Sequence, residues 1–403
     1  MLPQKSGDRK LSLFRWLIFA GMFLLSYFIF SAILSRDSSD LTIHTIWAGE
    51  ATFLQPKTFF RRGAHPLWHM LVVFLTLFGL SLSTASVLLT TLLKVAELWL
   101  IQRCMEKFLK NHVSGYLITC AAVCCALVTC FWLPFYNPII YMGVGSPNPW
   151  HSPTQLIAMV MMLLCVPYCA QCYQDFEELL PLQGRKARLP WKNTLILGGL
   201  LFISLTAKPT FMQAFLPAAG LFLLYQWIRH PQNSRFFGQI ILAVLPSLLL
   251  MIFQYFYYFS SLVVTQGGMT VEISPEKLWI GFMALLLIHA FPLYTLCTCV
   301  RRKDFKNPLF TLSVLLCLAG ALEYLFLGET GRRAADGNFG WGMMGGALML
   351  WVVTLPLFLR TYFSAKRKKE SIVKFYPGFA ILSWHLFSGL YYIVYLLINP
   401  VNQ

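Results

Sequence analysis

Charge is what this sequence has least of. Only 12% of its 403 residues are Asp, Glu, Lys or Arg, against about 25% in ordinary soluble domains. With 57% hydrophobic residues, a soluble globule of this size could not cover its surface with polar groups. Carboxylates are scarcest, 16 Asp+Glu against 32 Lys+Arg, for a net charge of +16. The basic excess sits in short loops between apolar runs, which is the positive-inside pattern of membrane proteins and excludes nucleic acid as a partner. The chain also lacks a nucleotide-binding glycine loop and any Asn-x-Ser/Thr acceptor site. The second absence gives weight to a bacterial cytoplasmic membrane over a glycosylating compartment. None of its 11 cysteines falls in an outer loop, so no disulfide is expected. Cys165, Cys169 and Cys172 read as small apolar packing residues.

What the chain has instead is apolar runs of bilayer-spanning length, about 20 residues each. The expected fold is an all-α polytopic membrane protein of about eleven transmembrane helices, a single domain over 1–403 with no soluble domain. The spans are placed at 13–35, 84–103, 115–135, 153–172, 193–208, 210–228, 236–257, 278–300, 309–327, 340–359 and 377–397. The first run, Leu11 to Ser35, exceeds the roughly 7–15 residue core of a signal peptide and reads as a retained helix. Lys5, Arg9, Lys10 and Arg15 place the N-terminus in the cytosol, and an odd number of spans places the C-terminus outside. The longest outer segment, 36–82, contains an apolar stretch over 66–80 that is short for a span and reads as an interfacial helix. Spans five and six meet at Lys208-Pro209 in a tight turn near the outer face. The inner loops 173–192 and 360–376 read as basic stops.

The polar residues of the outer face gather in four clusters. In 36–69 lie Asp37, Asp40, His44, Glu50, His65 and His69. Asp40 and His44 share a face if helical, and a carboxylate beside an imidazole suits general-base work. Against this, one of the two aspartates serves equally well as a helix cap, and the histidines as solvated interface residues. His65 and His69, four apart, leave a divalent metal open. The Gly/Pro-rich run from Tyr136 to Thr154 offers Asn148 and His151 as hydrogen-bonding groups at the membrane surface, or forms a rigid turn. Lys208 needs a partner at the membrane boundary; a phosphate would serve. The loop from Gly328 to Gly342 holds Glu329, Arg332, Arg333, Asp336, Asn338 and Trp341, and paired arginines suit phosphate. Within the bilayer, Lys94 and Glu97 are spaced to pair with each other, and Glu323 lies in the outer half of its span.

These features, in this order, resemble the membrane-embedded glycosyltransferases of the GT-C class, which take sugars from polyprenyl-phosphate carriers. An acid, Asp37 or Asp40, follows the first span. A basic outer loop then leads to a helix opening His65-Pro66-Leu67 and closing Phe78-Gly79-Leu80-Ser81. A span ending in Arg103 to Lys110 follows. The resemblance covers residues 1–110 best. It implies an inverting transfer on the extracytoplasmic face to a cell-surface glycan or lipid acceptor. Asp40, or Asp37 second, would be the base; Lys208, Arg332 and Arg333 would bind the leaving phosphate. His44, His65, Asn148, His151 and Asn338 would hold sugars. Glu50, His69, Glu329 and Trp341 are further substrate-binding candidates from the outer clusters; His69 and the Gly328–Gly342 loop lie outside the general family pattern. No cofactor beyond a divalent metal is in question. The rival readings are a polymerase or ligase of lipid-linked glycans, a transporter or lipid flippase that depends on Lys94, Glu97 or Glu323, and a structural membrane subunit.

Overall fold

The structure is a computed structural model describing residues 6–36, 39–61, 63, 65–109, 112–137, 145–259, 268–331 and 337–398. In chain order its helices are α1 (Ser6–Leu34), α2 (Asp40–Gly49), α3 (Leu67–Thr76), α4 (Leu82–Leu109), α5 (Gly115–Leu127), α6 (Pro153–Gln183) and α7 (Trp191–Ala207). Then come α8 (Pro209–Arg229), α9 (Ser234–Phe259), α10 (Pro275–Cys299), α11 (Pro308–Phe326), α12 (Gly340–Arg367) and α13 (Tyr376–Ile398). Two short strands, β1 (Met269–Val271) and β2 (Leu327–Glu329), pair antiparallel with Met269 opposite Glu329. Among the described residues nine helices are long and apolar enough to cross a membrane: α1, α4, α6 and α8 to α13. The chain is a multi-pass α-helical membrane protein.

Each expected span coincides with a helix, but some bounds move. α6 and α12 run on to Gln183 and Arg367, because Gln, Glu, Lys and Arg extend a helix readily beyond the apolar part. The loops 173–192 and 360–376 are therefore partly helical. The stretch 66–80 is helical only over Leu67–Thr76 and stops in a turn where Gly79 adopts φ +85°. At about 1.5 Å per residue, that helix covers about half the thickness of a bilayer core.

The largest departure is in the third run. Its helix, α5, has 13 residues and ends at Leu127, with Val128 already extended at ψ 146°. Such a helix reaches about 20 Å, short of the roughly 30 Å hydrocarbon core. Pro134 offers no backbone N–H to continue the helix. Further back, Gly389 of α13 presses on the break: a methyl added there would lie 1.9 Å from the Leu127 carbonyl oxygen. Non-helical backbone at such depth persists only when protein groups replace the lost hydrogen bonds. Here Phe131 N donates to Leu287 O (2.9 Å), and Trp132 N to the Ser388 hydroxyl (3.0 Å). His385 Nδ1 lies 2.7 Å from Thr129 O. Asn148 Nδ2 donates to both Cys125 O and Val128 O, at 2.9 and 2.8 Å.

At the centre stands α12, which packs on α4, α5, α6, α8, α10 and α11. Small residues let it come close to α11: a methyl added at Gly320 would fall 2.7 Å from the Gly342 backbone. Arg36 donates to Leu396 O, tying the end of α1 to the end of α13. All eleven cysteines are free thiols.

Candidate functional site

The residues between α1 and α4 fold as two short helices braced by a histidine pair. Ser39, not an aspartate, caps α2: its hydroxyl accepts from Thr42 N at 3.1 Å. Asp40, at the first helical position, is thereby left out of the capping interaction. Its carboxylate has no hydrogen-bond or ion-pair partner among the described residues. One turn on, His44 points inward and its Nδ1 lies 3.0 Å from Nε2 of His69 on α3. Both rings are buried. Burial pushes His69 down to about 4. Burial, then the neighbouring His69, His65 and Lys208, hold His44 well below the usual histidine range. At neutral pH both are uncharged. Each spends one ring nitrogen on the other, so the pair joins α2 to α3. Among the described residues no three His, Cys, Asp or Glu side chains come together as a metal site.

Lys208 is the single residue between α7 and α8. Pro209 opens α8 at its first position, and a residue before proline is pushed out of the helical region, so Lys208 is extended at φ −167°, ψ 130°. That break turns its side chain onto Trp341 in the first turn of α12. The ammonium sits 3.8 Å from the ring centroid and is 8% exposed, a geometry in which the ring face favours the cation. The Trp341 ring also faces His151 at 6.0 Å, and Gln155 donates to Trp341 O at 3.2 Å. His151 is buried, with Nδ1 3.1 Å from the Tyr392 hydroxyl of α13. Burial pushes His151 down to about 4; the Asp40 charge opposes this and Lys208 adds to it. Asp40, His151, Lys208, His44 and His65 thus lie within electrostatic reach of one another in a chain of pairs.

Beside them opens a cavity of about 470 Å³. His65, Lys208, Thr210, Gln213, Gln254, Glu323, Glu329 and Asn338 supply its polar lining. Asn338 Nδ2 donates to Glu329 at 2.6 Å, so β2 and the turn before α12 form one wall. Glu323 reaches the cavity past Gly342, where a methyl would meet its carboxylate at 2.6 Å. The apolar part of the lining is Met251, Ile252, Tyr255 and Phe256 of α9, which also contributes Gln254, and Met269 of β1 beside Glu329. Ile252 and Phe256 are 51% and 67% exposed while lining the cavity, so it opens sideways onto the apolar outer surface of α9. The Tyr257 hydroxyl donates to Phe60 O at 2.6 Å, fastening the first loop to α9 nearby.

Of the residues singled out from the sequence, His65, Lys208, Glu329 and Asn338 line this cavity. His44, His69, His151 and Trp341 stand around it as described. Glu50 follows α2 as its exposed C-cap, and neither it nor Asp40 lines the cavity; Asp40 is linked to the site through its charge on His151. Asp37, Arg332 and Arg333 lie outside the described residues.

Asn148 is elsewhere, and the loop around it is not at the surface. Residues 145–152 are all buried. Asn148 spends its amide on the α5 break and accepts from Lys94 Nζ at 2.9 Å. Lys94 in turn pairs with Glu97 at 2.7 Å and lies 4.4 Å from the Trp150 ring. All three polar side chains are buried, and together they hold the irregular segment.

Sequence reasoning left Glu323, Gln213, Gln254 and Tyr392 out of the site. A lone polar residue near the end of an apolar helix was the available signal for the first three. Nothing local marks Tyr392. Compared with known proteins, the chain matches no family model and no curated relative.

Proposed function

We propose that the chain is an inverting membrane glycosyltransferase that takes a sugar from a polyprenyl-phosphate donor and passes it to a glycan or lipid acceptor. The observation that carries this reading is the mixed lining of the cavity: largely apolar α9 residues, two of them exposed on the outer surface, together with Lys208, Asn338 and two carboxylates. A ligand matching it has a hydrocarbon chain, an anionic link and a hydroxylated head. The proposed topology has eleven crossings, α5 with its extended continuation and α7 completing the nine long helices. The N-terminus lies in the cytosol, and the cavity and C-terminus on the extracytoplasmic side of a bacterial cytoplasmic membrane.

In this mechanism the Asp40 carboxylate accepts the proton of the acceptor hydroxyl. The hydroxyl oxygen forms a bond to the anomeric carbon while the bond from that carbon to the phosphate oxygen breaks on the opposite face, inverting the centre. Lys208 stabilises the charge that collects on the departing polyprenyl phosphate. Burial keeps His44 and His151 neutral, so neither adds a positive charge beside that ammonium.

The test is mass spectrometry of lipid-linked sugars and surface glycan. It compares cells lacking the protein, cells with it, and cells carrying Asp40→Asn or Lys208→Gln. The reading requires that deletion and both variants lose the same glycan residue and accumulate a polyprenyl-phosphate sugar. Loss of a whole preassembled oligosaccharide would move the reading to a polymerase or ligase. A transporter would instead show transport loss with Asp40→Asn silent. Lys94, held by Glu97 and Asn148, gives that reading little support, whereas Glu323 lines the cavity and is the residue on which it would rest.

A further inference from the structure

A second cavity, of about 520 Å³, uses the opposite ends of the same helices. Phe310 of α11 and Leu357 of α12 line it, whereas Glu323 and Phe339 mark the end of these elements that meets the first cavity. Its volume falls in the roughly 300–1,000 Å³ range of ligand sites. Its chemistry is one-sided: Arg301, Lys303, Arg360, Arg367, Lys368 and Lys374 line it, against Asp304 and Glu370.

Basic residues at a helix end usually do no more than orient the chain, each solvated on its own. Here several are fixed by other groups so that they face one concavity. Asp304 is spent as a brace: one oxygen accepts from Arg360 at 2.8 Å and the other from the Arg301 backbone at 2.8 Å. Arg367 donates to His112 O at 2.9 Å and spans the opening between α12 and the turn after α4. Glu370 sits 4.0 Å from Lys368. Arg301, Lys303 and Lys374 have no ion-pair partner among the described residues. Burial, and then Arg360 and Arg367, lower the proton affinity of His112, as expected where positive charge gathers. Next to Asp304 and Lys374 in the chain, Phe305 and Val373 are 48% and 65% exposed, and the nearby Tyr376 is 57% exposed; tyrosine is a residue that settles at lipid headgroup level.

We infer that this basic cavity is a binding site for a phosphate group, carried by an anionic lipid headgroup or free in solution. The inference stands independently of the activity proposed for the other end. Arginine and lysine converging on a concavity are the groups that hold phosphate oxygens by charge-assisted hydrogen bonds.

The test titrates the purified full chain in neutral detergent with dioctanoyl phosphatidic acid, dioctanoyl phosphatidylcholine and inorganic phosphate, reading bound species by native mass spectrometry. Phosphatidic acid should give a saturable adduct that phosphatidylcholine does not. The double variant Lys303→Gln/Lys374→Gln changes exposed side chains and should weaken that adduct at least about tenfold. Lys10→Gln/Lys192→Gln removes the same charge from exposed positions that do not line the cavity, and should change affinity less than about twofold. Displacement of the lipid by inorganic phosphate would identify the phosphate group alone as the ligand; no displacement would identify the headgroup with its lipid. Equal weakening by both double variants, or equal binding of phosphatidylcholine, would overturn the site in favour of a diffuse surface charge.

Discussion

The two cavities have nearly the same size, about 470 and 520 Å³, and opposite designs. In the basic one, charge is plentiful and much of it lies on exposed side chains. In the other, the described charge is sparser: one lysine over a tryptophan, Glu323 reached past a glycine, Glu329 held by Asn338, and histidines held neutral by burial. Electrostatic interactions strengthen as water is excluded, so each group in the second design carries more of the work. Loss of one group should be severe there and mild in the basic cavity. On the proposed readings, that contrast would separate a site for bond making from one for holding an anion.

The sharpest break of this comparison is Asp40→Asn. Removing a general base costs about 10²–10⁴-fold in rate, so transfer measured with purified protein and lipid-linked donor should fall by that much with the melting temperature unchanged. A variant retaining full rate would remove Asp40 from the mechanism. Next in size is Lys208→Gln. Loss of a preorganised group that stabilises transition-state charge costs roughly 10²–10³-fold, and the fall should appear in kcat rather than KM. A change confined to KM would reassign Lys208 to ground-state donor binding.

Two further predictions concern stability. Asn148→Ala strips Lys94 of an acceptor and leaves the Cys125 and Val128 carbonyls without their donor. An unmet buried group costs about 1–3 kcal/mol, so thermal unfolding should shift down clearly; an unshifted melting temperature would mean that the α5 break is held by other contacts. The buried histidines set a pH dependence. His69 and His151 are lowered to about 4 in the folded protein, against about 6.5 when unfolded. The unfolded chain therefore takes up protons first as pH falls. Their contribution to stability is complete above about pH 6.5 and is lost progressively toward about pH 4. Each contributes up to about 1.4 kcal/mol per pH unit in that window. His151→Gln should flatten the decline of melting temperature between pH 6.5 and 4; an identical slope would show that His151 is not among the titrating groups.

How much of this was legible in the sequence follows from the range of each interaction. Hydropathy is local, so the apolar runs lay where the helices are. Lys208 was legible too, because Pro209 enforces the break beside it. The end of α5 was not, since the apolar run continues to residue 135 and the pressure on it comes from Gly389, far along the chain. The His44–His69 bond joins residues 25 apart through the packing of two helices, which periodicity does not encode. Asn148 was misplaced for a related reason. An amide flanked by prolines fits a surface loop and a buried brace equally well, and only the position of Lys94 decides between them.

The smallest expected effect is the one that tests whether the two regions are separate devices. Lys303→Gln/Lys374→Gln lies at the far end of α11 and α12 from Lys208 and Glu323. α11 alone, at 19 residues, puts about 28 Å between its ends, well beyond the roughly 8–10 Å screening length at physiological salt. Direct electrostatic influence on the transfer step should therefore vanish, and the rate should stay within about twofold. A larger change, at saturating donor and with unaltered melting temperature, would mean that occupancy of the basic cavity is felt through α12, the buried helix touching both sites. The contrast between the ends would then describe an effector site and an active site in one coupled molecule. Unchanged rate together with weakened phosphatidic acid binding would leave the basic cavity as an independent lipid or phosphate site, with α12 as a rigid partition between the two.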